Sequence, residues 1–425
     1  MPAMKIAIIG AGPAGCMLAR LLHRANVPVT IFEREASIDC RSQGGTLDLH
    51  TDTGLAAMQE AGLYEEFLKL ARFDGEAFAV ADKKLTVYLR APGSTTKSTR
   101  GRPEIDRWQL RSLLADSIPK DIIRWNHRLR KIGPNNELHF DGTIETGFDL
   151  IIGADGAWSQ TRRLLSQEEP FYSGVAGHSL SIPNAAERAP TTYKLVNRGS
   201  LFAFSDGRSI MGQQMGDGSI SVSTWSARGE DWMEQCGYDP YDGAASKEAM
   251  RREYHDWTPK LLNLTQEADD NVTPRSLYML RVGYRWDHRP GVTLLGDAAH
   301  LMTPFAGEGV NLAFEDARKL AHAIIIIISS AGASSQDGAG GTEALAAAAL
   351  AANIKAYEED MFQRATSAQQ LTYGMMQDTL FTAGAPRTVI ESWILRVARH
   401  AIHPVLYPFV AAAVYVFYFF FKLVR

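Results

Sequence analysis

The chain has 425 residues, 45% of them hydrophobic and 22% charged, enough to bury a large core and to form two lobes. A formal net charge of −4 argues against a nucleic-acid partner, which calls for a basic face. Its three cysteines, Cys16, Cys40 and Cys236, lack CxxC or His-paired spacing, which excludes a structural zinc site or disulfide framework and fits a reducing compartment.

Along the chain, Met1–Met4 runs directly into apolar Ile6–Ile9, so no N-terminal signal segment is expected. Ile6–Ile9 reads as a short buried strand, and Gly10-Ala11-Gly12-Pro13-Ala14-Gly15 after it is a complete GxGxxG. A helical pattern runs from about Cys16 to Ala25, and a second strand, Val29–Phe32, leads into Glu33 and Arg34. In such a unit Gly10 makes the turn, Gly12 lets a pyrophosphate touch the backbone, and Gly15 packs helix on strand. Glu33 stands at the interval expected of an acid that binds ribose hydroxyls. A dinucleotide is implied, without a choice between FAD and NAD.

Phe78–Ala81 and Leu85–Leu89 alternate apolar and polar residues, as do Tyr193–Val196, Leu201–Phe204, Ser209–Gln213 and Ser219–Trp225. With Asp206-Gly207 and Gly216–Gly218 as hairpin turns, they predict an antiparallel sheet. Between them, Phe148–Gly153 reads as another buried strand, followed by Ala154-Asp155-Gly156 and then Ser159, Arg162 and Arg163. This is an acidic turn facing a dinucleotide; the alternative is a plain strand turn capped by Asp155 and Ser159.

The run Gly291–Asn311 carries the most information. Val292, Leu294 and Leu295 form a buried strand, and Gly296-Asp297 follows at its end, where a carboxylate can accept hydrogen bonds from a polyol. Pro304 and Gly307-Glu308-Gly309-Val310-Asn311 then lead into a helical stretch, Leu312–Ile328. Glycines there let bare N–H groups approach a ligand, and a helix N-terminus behind them favours developing negative charge. A flavin ring needs both, because its reduced form is an anion. Ser329–Gly341 reads as a flexible linker, and an Ala-rich helix follows from about Glu343 to Met375.

With these three segments, the chain resembles the single-component FAD-dependent aromatic monooxygenases, the para-hydroxybenzoate hydroxylase class. Arg41-Ser-Gln-Gly-Gly-Thr-Leu-Asp48-Leu-His50, Arg102–Arg111 and the spacing of Tyr357-Glu358 to Met361 are similar to the tetracycline-inactivating subgroup. The resemblance covers about residues 4–375. It implies an α/β fold: a Rossmann-like FAD-binding domain, an antiparallel β-sheet substrate domain, and C-terminal helices. The expected boundaries are 4–74, 101–169 and 277–330 for FAD, and 75–100 and 170–276 for the sheet that roofs the flavin. A linker at 331–342, a helical region at 343–403 and a hydrophobic tail at 404–425 complete the chain.

The resemblance further implies NADPH (or NADH) as reductant and O₂ as co-substrate. The cofactor carries the hard chemistry, so no side chain is assigned a catalytic role. Asp297 would hold the ribityl chain, and backbone N–H groups near Gly309–Asn311 would face the flavin anion. Arg107 or Arg111 would meet the FAD chain or pyrophosphate. Positions matching Asp48 and Arg107 contact FAD in that subgroup, and the one matching Arg41 contacts NADPH; His50 is a proton relay or a structural histidine. Lys194, Asn197, Met211, Gln213, Met215 and Trp225 are expected to face inward from the sheet, with Pro304 and Phe305 closing the flavin side. Core packing is the alternative for Met211, Met215 and Trp225. These residue types suit a hydrophobic polycyclic natural product. Lys194 where the subgroup has glutamine argues against tetracycline itself. Hydroxylation, epoxidation and Baeyer–Villiger insertion all stay open. A flavin oxidase or reductase, or a non-catalytic membrane-tethered FAD-binding protein, are the alternatives; a halogenase would carry Trp-x-Trp-x-Ile-Pro, which is absent.

From Val405 to Phe421 the chain has 17 residues without a charge, interrupted by Pro408 and flanked by Arg396, Arg399, Lys422 and Arg425. A spanning helix needs about 20 apolar residues, ~17 at least, so a membrane anchor is expected, holding a cytoplasmic catalytic domain. The alternative is a helix packed on the protein.

Overall fold

The computed structural model describes residues 4–40, 44–93, 101–333 and 341–424. The chain divides into two compact units, the first made of Met1–Ala71, Arg107–Phe171 and Tyr278–Gln369, the second of Arg72–Asp106, Tyr172–Leu277 and Gln370–Arg425.

The first unit is built on a five-stranded sheet in the order Val292–Leu294, Leu150–Gly153, Ile6–Ile9, Val29–Phe32, Ile123–Arg124, with every pairing parallel. These strands read as unbroken apolar runs because a parallel sheet is covered on both faces. Helix Pro13–Arg24 starts at Pro13, whose fixed φ suits the first helical turn, and buries Cys16, Met17, Leu18, Leu21 and Leu22. Gly309–Ala333 forms one long helix. A second long helix spans Gly341–Met376, and residues 334–340 of the predicted linker lie outside the described residues.

The second unit holds a seven-stranded sheet. Arg208–Gln214 pairs antiparallel with both Ser200–Ser205 and Ile220–Ala227, and Phe171–Ile182 lies antiparallel to Ile220–Ala227. Ser200–Ser205 runs parallel to Phe78–Ala81, so the sheet is mixed and not wholly antiparallel. Asp206 and Gly207 both take positive φ, 52° and 72°, which the tight hairpin turn requires. One sheet face packs on Met250, Tyr254, Trp257, Leu261 and Leu264.

One expectation fails here, and one strand was not foreseen. Tyr193–Val196 is not a strand: Pro190–Val196 is a helix, opened by Pro190 and ended by Asn197 at φ 55°. Its alternation hid a helical face, because Val196, Tyr193 and Leu195 all pack on the core. Conversely, the 12-residue strand Phe171–Ile182 gave no clear period, since Gly174 and Gly177 interrupt it. Gly177 is needed there: a Cβ would stand 1.7 Å from the Thr224 carbonyl oxygen.

His178, in the same strand, is fully buried, with the Tyr238 hydroxyl 3.3 Å from Nε2 and the Trp232 ring edge-on at 5.2 Å. Burial, and then the Arg228 guanidinium, push its imidazole down to about 3. The neutral ring is thus favoured in the fold, and that stability is complete above the unfolded value of 6.5. It should drain away by roughly 1.4 kcal/mol per unit as pH falls from there toward 3. Urea titrations across this range should show the loss, and His178→Asn should flatten it.

Candidate functional site

Ile9 pairs with both Phe32 and Gly153, and Gly153 pairs with Leu294, so four parallel strands end level. The turns after them therefore leave one edge of the sheet, where open α/β sheets bind ligands. They carry Gly10–Gly15, Glu33, Ala154–Gly156 and Gly296-Asp297. Gly10 has φ +108°, and a Cβ on it would stand 2.4 Å from the Ala154 carbonyl oxygen. At Gly15 a Cβ would stand 2.1 Å from the Gly10 carbonyl oxygen, whereas at Gly12 it would meet nothing within 4 Å. Gly10 and Gly15 thus serve packing, and Gly12 leaves open backbone at the helix start. Ala14 packs inward, its methyl 3.3 Å from where a Cβ on Gly296 would lie. The buried Glu33 carboxylate accepts from the Ala11 N–H at 2.7 Å and the Glu35 N–H at 3.0 Å, while Arg34 is exposed.

Asp155 behaves differently from the expectation. Its carboxylate turns back onto its own chain, accepting from Ser159 Oγ at 2.5 Å, the Gln160 N–H at 2.8 Å, and the Thr161 N–H and Oγ1 at 3.1 and 3.2 Å. Two backbone N–H groups and two hydroxyls of its own turn thus engage the Asp155 carboxylate. Gly156, at φ +76°, is half-buried, and a Cβ on it would meet nothing within 4 Å. Arg162 likewise points inward, to the Ala298 and Ala157 carbonyls.

Asp297 opens a short helix with its side chain exposed and, among the described residues, without a hydrogen-bond partner. Behind it, the Gly296 N–H donates to Asp316 Oδ2 at 3.0 Å, and His300 Nε2 lies 2.6 Å from the same oxygen. Arg364 donates to Asp316 Oδ1 at 2.9 Å. Burial would raise the Asp316 carboxyl, but His300 and then Arg364 hold it below the usual range. This buried set escaped the sequence, because Asp316 and Arg364 come from the middles of two long helices.

Asn311 also does more than expected. Its buried side chain accepts from the His50 N–H at 2.8 Å and donates to the Asp48 carbonyl at 2.9 Å. That clamp ties the Asp48–His50 segment to the Gly307–Asn311 loop. Gly54 makes room for it, since a Cβ there would stand 2.5 Å from Asn311 Oδ1. His50 lies between two carboxylates, Asp48 at 3.1 Å and Glu308 at 3.8 Å. Gly307 has φ +69°, and Gly309 leads into the helix with nothing within 4 Å of a would-be Cβ. Val310 and Phe305 are half-buried and Pro304 is exposed.

The arginines separate. Arg111 is buried and committed to Glu35 at 2.6 Å, with a second bond to the Ile38 carbonyl, so its charge is matched within the protein. Arg107 is exposed at the start of its helix, with its N–H on the Gly45 carbonyl. Arg41 lies outside the described residues.

In the second unit, Met211, Gln213 and Trp225 share the sheet face opposite the helix-packed one. Met211 pairs with Phe202 and Ser223, Gln213 with Ser200 and Ser221, and Trp225 with Ser209. Met211 and Gln213 are half-buried, and Trp225 is buried. Lys194 does not belong to this face. It sits in the Pro190–Val196 helix, beside a cavity of about 210 Å³ lined by Thr191, Leu195, Lys260 and Asn263. Asn197 is the left-handed cap of that helix, and Met215 is buried in the turn after its strand.

The model of the FAD binding domain family matches residues 3–355. The chain belongs to that family. It is 33% identical to Monooxygenase penA of Penicillium thymicola over 75% of this chain and 84% of the relative. With Monooxygenase asqM of Emericella nidulans it shares 31% over 87% and 94%. The fold agrees with HpxO of Klebsiella pneumoniae complexed with FAD and uric acid, at TM-score 0.71 and 18% identity, covering 97% and 96%. For tetracycline destructase Tet(51) the TM-score is 0.61 at 22% identity, covering 93% and 98%, so that subgroup is not singled out. This family member is an FAD-dependent NAD(P)H monooxygenase of the para-hydroxybenzoate hydroxylase type.

The level strand ends, the open backbone at Gly12, Gly156 and Gly309, and the exposed Asp297 carboxylate fit FAD. Asp297→Ala should weaken FAD binding about 10- to 100-fold, the value of one or two charge-assisted hydrogen bonds. Because the Asp297 side chain is exposed and makes no hydrogen bond or ion pair among the described residues, the melting temperature of the flavin-free protein should not move. Fluorescence titration with FAD, beside a melt of the stripped protein, checks both.

Proposed function

We propose that this monooxygenase oxidises a hydrophobic, polycyclic natural product, in secondary-metabolite biosynthesis or the inactivation of a foreign compound. The observation that carries this reading is the half-buried pair Met211 and Gln213 on the second unit's sheet face opposite the helix-packed one. Met211 offers polarizable apolar contact and the half-buried Gln213, Ser221 and Ser223 set polar groups beside it, whereas Trp225 is buried and Phe202 packs in the cluster of Ala385, Val389 and Ile390. A few placed polar groups on an apolar wall suit a multi-ring molecule with scattered oxygens. Relatives named kynurenine 3-monooxygenase and zeaxanthin epoxidase support ring substrates and leave hydroxylation and epoxidation both open. Lys194 drops out of this surface.

When bound, FAD supplies the reduction by NAD(P)H and the activation of O₂. The chain's own part is positional. Glu33 receives the ribose, Gly12 admits the pyrophosphate, and Asp297 holds the ribityl chain. The Gly307–Asn311 loop, clamped to Asp48–His50, presents N–H groups to the anionic flavin edge. Gly44–His50 keeps its likeness to the tetracycline-inactivating enzymes within this reading, with Asp48 and Arg107 on FAD and Arg41 toward NADPH. The C-terminal tail would hold the enzyme at a membrane, beside a hydrophobic substrate.

The purified protein should be yellow, and acid should release the colour. With NADPH, labelled O₂ and a ring compound that accelerates NADPH oxidation, one labelled atom should enter the product. If every accelerating compound yields only hydrogen peroxide in amounts equal to NADPH, the enzyme is an oxidase.

A further inference from the structure

The last helix, Tyr407–Val424, is 18 residues long and apolar enough to enter a membrane, yet one side of it is engaged with the protein. Tyr407, Val410, Val414, Tyr418 and Phe421 recur at three- and four-residue spacing and are its less exposed positions. Tyr418 is only 3% exposed, and its hydroxyl donates to the Tyr88 carbonyl at 2.7 Å. The Lys422 ammonium lies 2.7 Å from both oxygens of Glu391, and Arg387 donates to the Lys422 carbonyl at 2.5 Å. On the opposite side, Phe409, Val416, Phe420 and Leu423 are each more than half exposed.

We infer that this helix lies in the plane of an anionic membrane surface, with the Phe409–Val416–Phe420 face sunk into the headgroup–acyl boundary, and does not cross the bilayer. This rests on the membrane association proposed above and specifies its geometry. Eighteen residues rise about 27 Å, short of the roughly 30 Å hydrocarbon core. Crossing would also tear the Tyr418 hydroxyl and the Lys422–Glu391 pair from their partners and carry them toward lipid, where unpaired polar groups are costly. An in-plane helix keeps all three contacts and buries only the side that faces away from the protein.

Charge selects lipid over a second copy of the chain. From Ser392 to Arg425 there is no Asp or Glu. Arg396 pairs with Asp378 and Lys422 with Glu391, which leaves the exposed Arg399 and the Arg425 of the sequence as the cations for a lipid surface. A two-fold contact would bring this acid-free segment against itself, whereas anionic headgroups complement it.

The test floats the full-length yellow protein with sealed vesicles of phosphatidylcholine and phosphatidylserine. The chain should float, and Val416→Glu with Phe420→Glu should cut the bound fraction at least about tenfold. FAD content and NADPH oxidation should stay unchanged, since neither residue touches the flavin site. Val424→Cys should react with a membrane-impermeant maleimide before detergent is added, above the parent's background. Labelling only after detergent overturns the in-plane geometry and leaves membrane association standing. Failure of the parent to float, or a solution dimer abolished by the same two substitutions, overturns both. Binding no weaker on phosphatidylcholine alone overturns the anionic assignment.

Discussion

Gly12→Val should give a soluble, folded and colourless protein, whereas Gly15→Val should not fold. The two glycines belong to one motif but meet different surroundings. A Cβ at Gly15 would stand 2.1 Å from the Gly10 carbonyl oxygen, a backbone atom held by the sheet, so helix and strand would have to part. A Cβ at Gly12 meets nothing within 4 Å, and φ there is −74°, which valine accepts. Its cost to the fold is the weaker helix cap, about 1 kcal/mol. The space it fills is the approach of the pyrophosphate, so FAD affinity should fall by at least about 100-fold. Absorbance at purification, with circular dichroism of both variants, separates the two effects. A yellow Gly12→Val protein would remove the motif from the FAD site.

Asp316→Ala should cost about 1–3 kcal/mol, because it leaves the buried Gly296 N–H and His300 without their acceptor and Arg364 with Asp360 alone. Asp316 has no exposed surface, so water cannot replace it. Urea unfolding should show the loss. FAD binding should weaken along with it, since the Asp316 carboxylate sets the Gly296 backbone at φ +61° and thereby the start of Asp297. The parent should also carry an acid limb. The Asp316 carboxyl is held below 3.8, so its stabilisation is complete above that value and is lost as pH falls through the lower folded value. Asp316→Asn should lose this limb. Unchanged unfolding in Asp316→Ala would show that the Asp360 pair alone satisfies Arg364 and that the buried carboxylate does not stabilise the fold.

The sequence alone determined the parallel sheet, the dinucleotide turn, the glycine-rich helix entrance and the apolar tail, because each depends on residues close together in the chain. Strand period, turn glycines and an acid at a set interval are local physics. Tyr193–Val196 shows the limit of that reading: over four residues, alternation cannot distinguish a strand from one helical face packed on a core. Partner choice also lay beyond it. Asp155 looks like a ligand for a dinucleotide until four donors of its own turn are seen to claim it, and Arg111 is taken by Glu35, 76 residues away. The Asn311 clamp joins positions 261 and 263 residues apart, a pairing no local pattern encodes. The tail's hydropathy admitted both an anchor and a packed helix. Only the tertiary structure decided that one side of it is held, because the Tyr418 hydroxyl and the Lys422 ammonium find Tyr88 and Glu391 across the fold.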